Sequence, residues 1–291
     1  MNSKAVLIIA ASFLILACGG GPSTTPVASP TMKRSNNHNV NAQAAYERGD
    51  MALAMKLSTE ALRLSRSVED TEGTAKNLLN IAAIYRVRQD RAAAHESLGE
   101  LFDPAGVRYP DRLLARGGMI KALLYIDEGD LLKASEWADK AVLLCKGSRC
   151  EAMAGIYNLK GRVLLLRDNV PGAQEYAQRG HRAGGVKSAE SANSLRLLGD
   201  SSLALKDYER AESLYQDALE MDKSLGLSSK IALDLKGMAE ASIGQGRVEK
   251  ARQYLLRAID VSKSASVHPH YRTRDIEADV RILLETLQSV E

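Results

Sequence analysis

The chain has 291 residues, of which 45% are hydrophobic and 26% charged, so it has enough apolar residues to build a core, and wholesale disorder is excluded. Its 39 basic and 36 acidic residues give a formal net charge of +3, which provides no electrostatic reason to bind nucleic acid. Aromatic residues make up only 4% and Pro occurs only seven times, a composition that favours helix over sheet.

The N-terminal segment is predicted to be a secretion signal. Its polar start, with one positive charge, is followed by an apolar run at residues 5–16, which is too short to span a bilayer as a helix. The run is followed by Ala17 directly before Cys18, an order that resembles the bacterial lipobox. The resemblance implies that residues 1–17 are a lipoprotein signal peptide and that Cys18 is the acylated N-terminus of the mature chain. An ordinary signal with an incidental cysteine, or an uncleaved anchor, is the alternative.

Residues 18–37 are predicted to be a flexible tether behind this signal. Gly, Pro, Ser and Thr dominate as far as Pro30, and polar residues follow, so the segment cannot build a core. Gly19 occupies the position where an Asp would indicate inner-membrane retention in enterobacteria. We therefore expect an outer-membrane lipoprotein that faces the periplasm, provided that the host has an outer membrane and follows this rule.

A repeat of about forty residues follows the tether. Six anchor alanines recur at intervals of 38–40 residues, namely Ala54, Ala94, Ala134, Ala173, Ala211 and Ala251. The residues twelve positions before the anchors are also small, namely Ala42, Ala82, Ala122, Gly161, Gly199 and Ala239. A short polar break precedes each anchor, and apolar residues recur at helical spacing on both sides of it. The pattern predicts six helical hairpins, each of which buries its apolar faces only by stacking on its neighbours.

These registers resemble the tetratricopeptide repeat (TPR). Leu198-Gly199 is close to the Leu-Gly pair of that family, and Tyr85 and Tyr125 occupy its aromatic position in two other units. The chain departs from the family in its longer period, in the absence of the closing Pro, and at the bulky position of the second helix. That position holds Leu98, Tyr215 and Leu255 in three units, and the small residues Ser58, Ala138 and Ala177 in the others.

The resemblance implies an all-α, right-handed solenoid of about six TPR-like hairpins over residues 38–291. After the sixth unit, apolar residues at helical spacing predict one more amphipathic helix at residues 273–290. A solenoid needs a terminal unit with one polar face, so this helix is predicted to cap the last hairpin. An unrelated helical bundle or solenoid is the alternative.

Two further cysteines, Cys145 and Cys150, lie five residues apart with Gly and Ser between them. In the oxidising compartment that a secretion signal implies, they are a candidate disulfide that would close a short loop. Two free buried cysteines are the alternative. The segment offers too few ligands for a metal site.

The sequence contains no motif of a catalytic or phosphate-binding site. Walker-type loops, serine nucleophile elbows and zinc-protease helices are absent, and the five His residues are scattered. His268 and His270 flank Pro269, an arrangement that fits an exposed loop better than a metal site. We therefore expect neither enzymatic activity, nor a cofactor, nor a bound metal.

In TPR arrays the first helix of each hairpin lines the concave side, so the resemblance implies a partner-binding groove there. Counting from the small residue of each first helix, we predict groove residues in the second to sixth units, namely Lys76, Leu79, Arg116, Met119, Leu123, Asn158, Arg162, Asn193, Arg196, Lys236 and Glu240. Five of them are basic, one per unit, so the groove is predicted to suit an acidic or carboxylate-bearing segment. The alternative is that solvated helix faces carry Lys and Arg in any case.

The sequence thus favours a non-catalytic, lipid-anchored scaffold of the bacterial envelope, which would bind a partner protein through its groove. It resembles the outer-membrane TPR lipoproteins that assist secretins, β-barrel insertion or cell-wall enzymes. The alternative is a periplasmic enzyme or small-ligand-binding protein with its site in the helical groove.

Overall fold

The computed structural model describes residues 29–103, 105–147, 150–264 and 271–288. This part of the chain contains thirteen α-helices, one 3-10 turn at Glu100–Phe102 and no strand. The helices are α1 (Pro30–Glu47), α2 (Met51–Ser67), α3 (Thr71–Val87), α4 (Arg91–Gly99), α5 (Asp111–Glu128), α6 (Leu131–Lys146), α7 (Met153–Leu166), α8 (Val170–Gly184), α9 (Ala189–Ala204), α10 (Tyr208–Leu225), α11 (Ser228–Gly244), α12 (Val248–Ser264) and α13 (Tyr271–Gln288). The predicted signal peptide, Cys18, most of the predicted tether and the His268–His270 segment lie outside the described residues.

The first twelve helices pair in chain order into six hairpins, from α1–α2 to α11–α12. Each second helix also packs against the first helix of the next hairpin, so the units form a stack in which contacts join neighbours. All six anchor alanines are completely buried, because the two helices of a hairpin approach closely at these positions. The predicted all-α solenoid of six hairpins is confirmed.

The start of the first hairpin differs from the prediction. α1 begins at Pro30, since the fixed φ of proline suits the first helical position. Ser35 in this helix is buried, and its hydroxyl donates a hydrogen bond to the carbonyl of Ala61 in α2. Residues 30–37, which their polar composition assigned to the tether, therefore form the first two turns of α1. The predicted domain boundary at residue 38 is wrong.

A recurring turn joins the two helices of a hairpin. In five hairpins, a residue in the left-handed backbone region is followed by an Asp or Asn that caps the second helix. The pairs are Gly49-Asp50, Gln89-Asp90, Gly129-Asp130, Asp168-Asn169 and Lys206-Asp207. Each cap side chain accepts a hydrogen bond from the backbone amide three residues further on. These turns are the polar breaks that the sequence places before its anchor alanines.

The last helix, α13, closes the stack by packing on both α11 and α12. Val280 is completely buried in the same core cluster as Met238 and Leu255, whereas Ile282 is 61% exposed. The helix predicted at residues 273–290 thus corresponds to α13, which buries Val280 against the last hairpin and leaves Ile282 on the opposite side exposed. Among the described helices, none combines the length and the hydrophobicity that a membrane span requires.

The first helices of the hairpins form the inner side of the stack. From α1 to α11, each odd-numbered helix packs against the next odd-numbered helix as well as against its own partner. The even-numbered helices contact one another far less within the described part of the chain, so they lie on the outer side. A groove on the inner side is therefore lined by side chains of α1, α3, α5, α7, α9 and α11.

Candidate binding groove

Two of the five basic residues predicted for the groove are exposed and available. Arg116 on α5 and Arg162 on α7 make no ion pair or hydrogen bond within the described residues. Lys76 and Lys236 are neutralised by glutamates one turn away on their own helices, each at 2.7 Å. For Lys236 the partner is Glu240, which was itself predicted to be a groove residue. The basic series along the inner side is therefore reduced to two guanidinium groups without an ion pair, of which Arg162 still interacts electrostatically with Asp200.

The groove prediction for Arg196 is wrong. Arg196 is only 9% exposed and lies among α9, α10 and α11, where its Nε donates to Asp234 at 2.7 Å. A second guanidinium nitrogen pairs with Asp222, and the third donates to the side chain of Asn193 at 2.8 Å. All three nitrogens are used inside the protein, so neither Arg196 nor its partner Asn193 is free to bind a ligand.

Asn158 and Leu79 were also predicted to line the groove; Asn158 is structural, whereas Leu79 belongs to the core and also lines the cleft described below. Asn158 is buried, and its side-chain amide donates to and accepts from residues of α9. Leu79 is 2% exposed in the core of the second hairpin. Met119 and Leu123 are half-buried against the core of the third and fourth hairpins, which leaves only part of each side chain accessible.

A cleft of about 110 Å³ opens on the inner side where α1, α3 and α5 meet. This volume is well above the ~10–15 Å³ that a single water needs. Leu79, Ile84 and Ile120 provide apolar lining, and further polar side chains complete the wall. The polar lining comes from Gln43, Tyr46, Ser58, Asn80 and Arg116.

Two positions of the first hairpin carry small residues where several other units carry bulky ones. Ser58 of α2 occupies the register in which other second helices carry the buried Leu98, Tyr215 and Leu255. Ala45 of α1 stands where the next two units have tyrosine. The Ser58 hydroxyl is buried and has no hydrogen-bond partner among the described residues. Buried hydroxyls are normally bonded, and this unpartnered one borders the cleft.

The α1 side of the cleft is absent from the predicted groove residues. The predicted groove begins in the second unit, and residues 30–37 were assigned to the tether. The same count from Ala42, the small residue of α1, places Gln43 on the inner side, and Gln43 does line the cleft. The register that identifies this residue was therefore present in the sequence.

The chemistry of the cleft combines an apolar floor with one guanidinium that is not neutralised. Arg116 can bind a carboxylate through two parallel hydrogen bonds, a geometry that its planar fork favours. Asn80 adds an amide that can bond to a peptide backbone. An extended segment with an apolar side chain next to a carboxylate satisfies both parts of the cleft.

Cys145 and Cys150 form a disulfide at the end of α6. Cys145 is completely buried in the core cluster that contains Val142 and Ile156, so the bridge ties the third hairpin to the start of the fourth. Within the described ranges, no group of three or more His, Cys, Asp or Glu side chains is arranged to hold a metal ion.

A family model described as the tetratricopeptide repeat matches residues 192–225, which lie in α9 and α10. The chain is also similar to the crystal structure of a Rap protein complexed with competence and sporulation factor. That match has a TM-score of 0.61 at 11% identity and covers 89% of this chain and 77% of the Rap chain. The fold is that of a TPR solenoid.

Two other solved structures share this TPR fold. The apo form of the quorum sensor NprR from B. thuringiensis matches with a TM-score of 0.66 at 17% identity, over 78% of this chain and 65% of that one. PilW, a widely conserved type IV pilus biogenesis factor, matches with a TM-score of 0.56 at 16% identity, over 77% of this chain and 91% of that one. Among curated proteins, no sequence matches this chain significantly. At these identities the similarity concerns the fold alone.

Proposed function

We propose that this protein is a lipid-anchored, non-catalytic scaffold of the bacterial envelope that binds a segment of a partner protein in the cleft between α1, α3 and α5. The observation that carries the proposal is the cleft itself. It combines apolar lining, a buried hydroxyl without a partner and the unpaired guanidinium of Arg116. An acidic or carboxylate-bearing segment fits this chemistry, because Arg binds carboxylates in a bidentate manner.

Proteins with similar folds support a role in recognition. The Rap structure is that of a complex with competence and sporulation factor, and PilW is a pilus biogenesis factor. The anchoring part of the proposal rests on the sequence, in which an apolar run is followed by Cys18 and a Gly- and Pro-rich segment. A disulfide between Cys145 and Cys150 agrees with an oxidising compartment such as the periplasm.

The test is capture of partners from detergent-solubilised envelope with the full chain as bait. We expect one stoichiometric protein partner, and a recovery at least ten-fold lower for Arg116→Glu because the reversed charge repels a carboxylate in the cleft. Arg162→Glu, which changes a charge outside the cleft, should weaken capture less. In the same cells Cys18→Ser should move the protein from the membrane fraction to the soluble fraction.

Lys56→Glu is the matched control, because it reverses an exposed charge on α2, on the outer side of the stack. This variant should capture as much partner as the wild type, and thermal melts by circular dichroism check that all variants fold. If Arg116→Glu captures as well as Lys56→Glu, the cleft is not the site. A bait that purifies without partner but with a bound metabolite would instead favour the small-ligand-binding alternative.

A further inference from the structure

A second polar site lies on a different face of α5 from Arg116. Phe102 of the 3-10 turn packs edge-on against Trp137 of α6, with the ring centroids 4.8 Å apart. Gly117 of α5 allows Phe102 to come this close, since a Cβ at Gly117 would lie 3.2 Å from the ring. The two rings form an aromatic platform between α5, α6 and the loop that follows α4.

Two ammonium groups share this platform. The Nζ atom of Lys121 lies 4.7 Å from the centre of the Trp137 ring, and that of Lys140 lies 4.6 Å from it. In the described part of the chain, neither ammonium forms an ion pair with a carboxylate. Burial, together with the charge of Lys140, lowers the pKa of Lys121. The two positive charges are therefore close to each other and only partly compensated by the rings.

In the next hairpin the corresponding lysine has a carboxylate partner, which Lys121 lacks. Lys160 occupies the same register in α7 as Lys121 in α5, and it is neutralised by Asp139 of α6, with Nζ and Oδ2 2.7 Å apart. The residue of α4 that corresponds to Asp139 is Gly99, because both lie five positions after an anchor alanine. A Cβ at Gly99 would have no atom within 4 Å, so the space for an acidic side chain is open.

We propose that Lys121 and Lys140, over the rings of Phe102 and Trp137, form an open pocket that binds a carboxylate from outside, in the place that Asp139 fills for Lys160. Since two ammonium groups face the pocket, the ligand that fits is a partner segment with two adjacent acidic side chains. The ammonium group of Lys121 is partly shielded from water, and this strengthens its attraction to an anion. The pocket is separate from the cleft and does not depend on the function proposed for it.

Trp137 provides the test, because it is the only tryptophan in the sequence and its fluorescence reports occupancy of the pocket. Titration of the full chain with a tetraglutamate peptide should change the emission saturably, and a tetraglutamine peptide should not. Lys121→Met should weaken the apparent affinity at least ten-fold. Gly99→Asp should abolish the response, because it supplies the missing carboxylate from within the chain.

Two matched variants keep this test specific. Gly99→Ala adds a side chain without a charge, and Lys146→Met removes a charge from the exposed end of α6, so both should bind tetraglutamate as the wild type does. The proposal fails if the wild type shows no saturable change, if tetraglutamine acts equally, or if Lys146→Met is as weak as Lys121→Met. Inorganic phosphate that displaces tetraglutamate at concentrations below those of the peptide would overturn the assignment to carboxylates.

Discussion

A cluster of buried charges lies between the fifth and sixth hairpins. Arg196 pairs with Asp222 and Asp234, whose side chains are almost completely buried. One oxygen of each carboxylate has no hydrogen-bond partner among the described residues. Burial, reinforced by the neighbouring carboxylate of Asp222, raises the pKa of Asp234 to about 7. Burial also raises the pKa of Asp200, which accepts a hydrogen bond from Tyr215 at 2.5 Å.

The raised pKa of Asp234 predicts a stability that falls as the pH rises. Between pH 4 and about pH 7 the folded protein holds a proton on this carboxyl that the unfolded chain has already released. The free energy of unfolding should therefore be largest near pH 4 and decrease by roughly 2–4 kcal/mol towards pH 8 through this group. Asp234→Asn removes the titration, so urea unfolding measured from pH 4 to pH 8 should give a flatter profile for this variant.

Asp260→Asn, at an exposed position of α12, is the control and should keep the slope of the wild type. Parallel profiles for the wild type and Asp234→Asn would contradict the raised pKa. Urea unfolding of a variant with Arg196 truncated tests the structural role of this residue. If Arg196 served a groove instead of this cluster, its truncation would be neutral for folding, whereas loss of one partner of a buried ion pair costs ~3–5 kcal/mol.

The burial of Arg196 could not be predicted from the repeat register. The register identified which helix face carries this residue, but its burial depends on Asp222 and Asp234, which lie 26 and 38 residues away on two other helices. The repeat register also could not predict that Ser58 lines a cleft. Ser58, Ala138 and Ala177 are all small and completely buried at the same register, yet the cleft beside α1, α3 and α5 is lined by Ser58 and by neither alanine. A cleft therefore depends on what surrounds a small residue, and the residue type alone does not reveal it.

At the scale of the element, the turns explain why the period was visible in the sequence. In five hairpins the turn places a residue at positive φ directly before the cap of the second helix, so a polar pair precedes five of the six anchor alanines. Gly129 meets the first demand without strain at φ +79°, whereas Gln89 adopts φ +60° with a full side chain. The left-handed region costs a non-glycine residue about 1 kcal/mol. The backbone strain therefore differs from one turn to another.

Gln89→Gly should stabilise the second hairpin. The turn keeps its backbone, and glycine removes the steric cost of positive φ, so we expect a gain of about 1 kcal/mol in the free energy of unfolding. Gly129→Ala makes the opposite change in the next turn and should cost a similar amount. Chemical denaturation of the two variants beside the wild type measures both effects. A loss of stability in Gln89→Gly would show that its side chain contributes more than the backbone strain costs.

At the scale of the whole molecule, stability is distributed along the stack. The core consists of successive clusters, each shared by neighbouring hairpins, and the packing of helices described here joins adjacent units only. A stack of this kind behaves as a row of units that stabilise their neighbours, so damage at one end need not reach the other. Within the described residues the two ends differ, because α1 is part of the first hairpin, whereas α13 packs on the last hairpin as a single helix.

Val280→Asp tests this arrangement. Val280 is completely buried between α13 and the last hairpin, so an aspartate there places a charge in the core and should release α13. Hydrogen exchange should then rise at least ten-fold in α11 and α12, while α3 to α6 keep the protection of the wild type. Ile282→Asp introduces the same charge at a side chain of α13 that is 61% exposed, and should change protection little. If Val280→Asp instead accelerates exchange equally in all helices, the hairpins unfold as one cooperative unit, and the binding cleft at α1, α3 and α5 depends on the cap at the opposite end.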